Sequence, residues 1–418
     1  MRTLFVFVFL GVTAFSADWP SFRGPLASGL AAQPPAGTRV LWKIPIPGLG
    51  HSSPVVAGGR IYLTSAVSGK PVEKLRLGSS GIGSVNDQEP HRYIVMALDA
   101  KTGKVIWERT AVEATPKIKR HVKASHANST PATNGKIVVA FFGSEGLYAF
   151  DAAGKLLWKK DLGTLNVGLK NEKDTQWGFA SSPLIWKDRV IVQCDTQDED
   201  FVAAFDLASG KELWRTKREE FPVWSSPVVF DTPKGPQLIT TAARFTYGLD
   251  PMTGKELWRV ADETEVKTPT PVAAGGLLYI AGGYPPGRPF FALKLGSGEQ
   301  AWKAPKGGPY TTTPIVVGEH LYILGDSGVL SCYDAKTGNP VYQQRVSTKG
   351  ATFSASPVSA GGKLYLPSED GDLHIVKAGP QFAAGDPIPF GEPLMATPAI
   401  SGGVMYVRSQ GHLHALGK

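Results

Sequence analysis

Short apolar runs rich in Val, Ile, Leu and Tyr recur along the chain between polar, Gly-containing turns. They read RIYLTSA (60–66), KIVVAFF (136–142), LLYIAGG (277–283), HLYILGD (320–326), KLYLPSE (363–369) and VMYVRSQ (404–410). Runs this short, β-branched and aromatic, predict strands rather than helices. Before each lies a second pattern, a proline usually preceded by Ser or Thr and followed by apolar residues. The prolines are Pro54, Pro131, Pro183, Pro227, Pro271, Pro314, Pro357 and Pro398. Proline cannot donate to a β-ladder and holds the preceding residue extended, so each marker opens a strand.

After the apolar run comes a longer phrase: ALDAKTGKVIW (97–107), AFDAAGKLLW (149–158), AFDLASGKELW (204–214), GLDPMTGKELW (248–258), ALKLGSGEQAW (292–302) and CYDAKTGNPVY (332–342). The Asp carboxylate suits a turn by accepting backbone N–H groups, and Gly supplies a positive φ. A hairpin therefore joins two strands, the second ending in Trp107, Trp158, Trp214, Trp258, Trp302 or Tyr342. Large aromatic surface at a fixed place in every unit reads as the wedge that docks one unit on the next.

Each unit thus has four antiparallel strands, and the marker spacings of 77, 52, 44, 44, 43, 43 and 41 residues show regular later units and early insertions. Units of this size predict an all-β chain, an eight-bladed β-propeller of four-stranded antiparallel blades. The last unit ends at HLHAL without a strand ending in Trp, whereas RVLW, ending in Trp42, precedes the first marker. That N-terminal strand completes the last blade and closes the ring, removing exposed edges. The seventh unit lacks both Asp and Trp.

Composition agrees: 418 residues, 42% hydrophobic, with 48 Gly and 33 Pro, describe a globular chain of many turns. Residues 1–17 read as a signal peptide, with Arg2 followed by an apolar run too short to span a bilayer and then small residues. No lipid-accepting Cys follows, so residues 18–418 are expected as a single exported propeller, periplasmic or secreted, monomeric and without a transmembrane segment. The formal charge of +8 is mild, and no pattern for nucleic acid appears. Cys194 and Cys332 are expected as buried thiols.

On these repeats the chain resembles the PQQ-like β-propeller superfamily, whose AxDxxTGKxxW repeats dock blades through tryptophan. WPSFRGPLASGL (19–30) resembles the start of exported members, often named after the outer-membrane-assembly protein BamB or after pyrroloquinoline quinone. The resemblance implies two specific functions: a PQQ-dependent quinoprotein dehydrogenase using calcium, or a BamB-like envelope assembly scaffold. For the first, no two cysteines are adjacent and no calcium-ligand motif is found. The blade acids Asp99, Asp151, Asp206, Asp250 and Asp334 are explained as turn formers, so no catalytic residue is assigned, and no cofactor.

Where the blades differ, the segments before the markers line one channel mouth. His51, His126, Asn128, Trp177, Phe179, Trp224, Lys267, Tyr310 and Phe353 are the candidates for ligand binding, because stacked aromatics with a few polar groups suit small molecules. The alternative is that the aromatics simply pack the channel. Asp87, Glu89 and His91 in DQEPH, with His121 and His126, read as separate surface residues and no metal site. The insertions 66–92 and 108–126, the second carrying Lys117, Lys119, Arg120, His121 and Lys123, are the natural carriers of specificity. The expected function is non-catalytic binding of a protein partner or small ligand at the channel mouth.

Overall fold

The computed structural model describes residues 18–72, 75, 83–85, 87, 89–169, 172, 174–262, 264, 266–284 and 288–418. The expected leader, 1–17, and parts of the insertion 66–92 lie outside them. The described residues form eight four-stranded antiparallel sheets and one two-stranded sheet, with only two short 3₁₀ turns, Pro25–Ala27 and Gly143–Glu145. Blade 1 comprises Val55–Ala57, Arg60–Ser68, His91–Asp99 and Val105–Ala114. Blade 5 shows the regular unit: Val272–Ala274, Leu277–Ala281, Phe290–Lys294 and Gln300–Ala304.

Ring closure is as read from the sequence. Arg39–Pro45 pairs with His412–Gly417, so blade 8 has three strands from the C-terminal end and one from the N-terminal end. Ile61, Leu63, Met96 and Leu98 of blade 1 then bury against Met405, Val407 and Ala415 of blade 8. Fully burying an aliphatic side chain contributes about 1.5–3 kcal/mol, so each seam between blades is a substantial apolar core. In blade 7 the fourth strand is only Ile388–Pro389, consistent with the missing Asp and Trp.

The repeated phrase has a second geometric meaning. Asp99 Oδ1 accepts hydrogen bonds from Thr102 N and Oγ1, and Asp206 and Asp334 repeat this with Ser209 and Thr337. The Gly that follows has a positive φ, and it also faces the tryptophan of the preceding blade. A Cβ would meet Trp42 at Gly103 (2.8 Å), Trp107 at Gly154 (2.8 Å), Trp158 at Gly210 (2.6 Å), Trp214 at Gly254 (2.4 Å), Trp258 at Gly298 (2.5 Å) and Trp302 at Gly338 (2.7 Å). Trp107, Trp158, Trp214 and Trp302 each donate their indole N–H to a backbone carbonyl of the next blade. Tyr342 contacts Phe382 of blade 7 instead, with ring centroids 5.8 Å apart.

The residue before each marker proline forms a continuous belt. Ser53 N donates to Thr130 Oγ1, Thr130 N to Ser182 Oγ, and so on through Ser226, Thr270, Thr313, Ser356 and Thr397, whose N–H returns to Ser53 Oγ; the eight bonds span 2.9–3.3 Å. The Ser or Thr of the marker therefore ties each blade to its neighbour around the channel, while the proline opens the strand.

The N-terminal segment crosses the other end of the channel. Trp19 pairs with Val56 of blade 1, and Gly29 and Ala31 bond to Ser359 of blade 7. Between them Arg23, in a left-handed conformation (φ 60°), is fully buried and donates to the carbonyls of Ala27, Ser28, Thr313, Pro314 and Pro357. Gly29 gives it room, since a Cβ there would lie 2.6 Å from Arg23 Nη2.

Candidate functional site

With one end crossed by residues 19–31, the channel becomes a blind cavity of about 620 Å³ whose lining includes Phe22 and all eight hydroxyl residues of the belt. Its wall follows a simple rule. Counting back from each marker proline, the first and third residues face the cavity; the third positions are His51, Asn128, Ala180, Trp224, Thr268, Thr311, Ser354 and Met395. The second positions mostly turn away, and several are pinned within their own blade, as Ser52 Oγ donates to Thr64 O and Ser225 Oγ to Thr241 O. This is the two-residue alternation of extended backbone.

Five of the nine expected mouth residues line the cavity: His51, Asn128, Trp177, Trp224 and Tyr310. The other four do not line it. Phe179, Lys267 and Phe353 all stand four residues before a proline and point away from the cavity, whereas Tyr310, at the same position before Pro314, and Trp177, six before Pro183, depart from the alternation and line it. Phe179 packs on Phe141 at 4.6 Å, and Phe353 is wholly buried beside His374. Lys267 is 1% exposed, donates to Asp262 and has its ammonium pKa lowered, chiefly by burial. His126 turns away toward Asp87, with Nε2 3.3 Å from Asp87 Oδ2.

The lining has two aromatic patches. Trp177 and Trp224 lie 5.7 Å apart at an interplanar angle of 36°, with Trp224 Nε1 donating to Gly178 O and His121 edge-on to Trp177. Tyr310 meets Tyr284 at 5.7 Å and carries the Arg288 guanidinium 5.5 Å from its ring; burial pushes its phenol up to about 12. Arg288 Nη1 is itself bonded to Asp326 Oδ1 at 2.6 Å. The His51 imidazole is pushed down to about 3 by burial and then by the charges of Arg408 and Arg120, so it faces the cavity neutral.

The insertions build the rim, which sequence reasoning located only in outline. Ser84–Val85 of the first pairs with Arg120–His121 of the second. Ser84 Oγ and Lys119 N bond to Gln176, and His121 N donates to Trp177 O, tying the rim to the aromatic wall. Lys123 then reaches Glu369 of blade 7, with Nζ 2.9 and 3.0 Å from the two carboxylate oxygens. Thr352 and Ser354 also donate to that buried carboxylate. No local pattern signals a pair separated by 246 positions.

The residues around DQEPH are not all separate surface groups. His91 is 6% exposed and the His126 side chain 5%, and together with Asp87 they bring three ligand-type atoms within 4.8 Å of one another. Glu89 instead pairs with Lys70, and His121 belongs to the cavity. Insertion residues separated in sequence are drawn together by the pairing of Ser84 with His121 and Val85 with Arg120. Cys194 and Cys332 are buried free thiols.

A family model described as outer membrane protein assembly factor BamB matches residues 28–221 and 246–381. Among solved structures, BamB from Moraxella catarrhalis is similar at 16% identity and TM-score 0.62, over 91% of this chain and 97% of that one. A europium-containing methanol dehydrogenase aligns at 13% identity and TM-score 0.70, over 96% and 98%. A quinohemoprotein alcohol dehydrogenase from Comamonas testosteroni aligns at 14% and 0.53, over 96% and 81%. At these identities the structural likeness is one of fold. No curated protein sequence matches the chain.

Proposed function

The chain belongs to the family described as outer membrane protein assembly factor BamB, and from that premise we propose that it is an exported, non-catalytic propeller whose blind cavity binds a small ligand or an inserted segment of a protein partner. The observation that carries this reading is the cavity itself, closed at one end and presenting Trp177, Trp224 and Tyr310 above a floor of hydroxyls. Flat apolar faces stack on a ring or extended backbone, and the polar belt and Asn128 supply directional partners. In this reading residues 1–17 are a cleaved leader, residues 18–418 act as one monomeric unit in the periplasm or outside the cell, and the blade tryptophans dock each blade on the next. No helix among the described residues is long and apolar enough to cross a membrane.

The dehydrogenase reading is disfavoured by the donor set. A hard cation beside a quinone needs several oxygen ligands. The two acidic side chains lining the cavity among the described residues, Glu369 and Asp326, are each engaged by a basic residue, Lys123 and Arg288. These residues do not fit a metal-bound quinone.

Indole fluorescence tests the proposal. Neutral oligosaccharides and extended peptides are titrated into the protein, and saturable quenching is expected for at least one class, lost in Trp177→Ala/Trp224→Ala. Absence of saturable binding by either class, or dye-linked alcohol oxidation on adding PQQ and calcium, would overturn it.

A further inference from the structure

We propose that Asp87, His91 and His126 form a zinc site that clamps the two insertions together, outside the cavity and independent of what the cavity binds. The three ligand-type atoms lie within 4.8 Å of one another. Asp87 comes from the first insertion, His91 opens the third strand of blade 1, and His126 ends the second insertion. A single ion there would fix the base of the rim loop that carries His121 and Lys123 to the cavity.

The chemistry of each group suits a metal. His91 Nδ1 lies 2.9 Å from the carbonyl oxygen of Glu89. A carbonyl only accepts, so Nδ1 carries the hydrogen and Nε2 keeps its lone pair, the arrangement by which an outer partner fixes a ligating imidazole. His126 Nε2 is buried and faces Asp87 Oδ2 at 3.3 Å without closing a well-formed hydrogen bond. A buried imidazole nitrogen without a partner is costly unless something binds it. Arg120 Nε holds Asp87 Oδ2 at 2.6 Å, orienting the carboxylate as an outer-shell donor would. Its positive charge also moderates affinity, so micromolar rather than near-irreversible binding is expected.

Two imidazoles and one carboxylate favour a borderline first-row divalent ion over calcium or magnesium, which prefer all-oxygen shells. Three protein ligands leave a fourth tetrahedral position for water.

The test is calorimetric titration of zinc sulfate into chelator-stripped full-length protein. Saturation at one equivalent is expected, with at least 10-fold weaker binding in His126→Ala and in Asp87→Asn, and unchanged binding in His412→Ala. Cobalt should give visible d–d absorption in the wild type that His126→Ala lacks. Asp87→Asn, on a partly exposed loop, carries the test if loss of His126 impairs folding. Lack of one-equivalent binding in the wild type, or undiminished binding in a folded Asp87→Asn or His126→Ala variant, would overturn the site.

Discussion

Two glycines of blade 5 separate the two demands that the repeated turn makes on its sequence. Gly276 and Gly298 have nearly the same backbone angle, φ +77° and +74°. A Cβ on Gly276 would meet nothing within 4 Å, whereas one on Gly298 would lie 2.5 Å from Cε3 of Trp258 in blade 4. Gly276→Ala should therefore cost only the strain of a left-handed alanine, about 1–2 kcal/mol. Gly298→Ala should cost that plus overpacking against the indole, a further 1–3 kcal/mol or so. With unfolding entropy of roughly 2.1 cal/mol/K per residue over about 400 residues, a further 2 kcal/mol lowers Tm by about 2–3 °C, within the resolution of scanning calorimetry. Adding Trp258→Phe to Gly298→Ala should recover part of the loss, a coupling of about 1 kcal/mol, because the smaller ring frees the space the methyl needs. Equal losses in the two glycine variants, or additivity in the double variant, would refute the idea that the glycine is a socket for the neighbouring tryptophan.

Other outcomes follow from the belt, the rim and the buried histidines. Ser226→Ala removes the acceptor for Ser182 N and should cost about 1–3 kcal/mol by chemical denaturation, for leaving a buried N–H unsatisfied; a neutral effect would deny the belt a structural role. Glu369→Gln should weaken the hold on Lys123, costing about 2 kcal/mol and speeding amide hydrogen exchange across 117–124; unchanged exchange would show the pair does not anchor the rim. His414 is 3% exposed, and burial, then the charges of Lys43 and His412, lower its pKa to about 4. Below about 6.5 the unfolded chain binds a proton that the folded chain resists until about 4, so this residue's contribution falls as pH drops through that window, by up to about 3 kcal/mol. His414→Gln should flatten the wild-type decline in Tm over the same range, and parallel curves would refute the assignment.

The architecture was readable because propeller blades repeat local instructions. Pro54 to Pro398 mark strand starts, Asp99 and its counterparts mark turns, and Trp42 stands as an orphan whose only place is the last blade. The wall of the cavity was half readable. His51 and Trp224 were found, but Phe179, Lys267 and Phe353 were placed with them although they lie behind the wall, and alternation back from the proline could not have separated them from Tyr310, which holds the same position before Pro314 and lines the cavity. The hydroxyl belt was equally present as a periodic Ser or Thr, yet proline accounts for strand opening so well that the residue before it had no separate claim. Lys123 with Glu369, and Asp87 with His126, had no such signal: they meet because the insertions fold over the rim, a non-local outcome that no periodicity encodes.

The belt of eight backbone donors and eight hydroxyl acceptors has an electrical consequence. Every bond runs the same way round the channel, from one blade to the next in chain order. Tangential dipoles spaced around a circle sum to almost nothing at its centre. The floor can therefore be thoroughly polar and still exert little net field on a molecule above it. Any orienting field inside the cavity must come from charges outside the belt: the buried Arg23 guanidinium at the closed end, and the pairs Lys123 with Glu369 and Arg288 with Asp326 higher up, so a bound molecule would be steered by these groups and not by the floor.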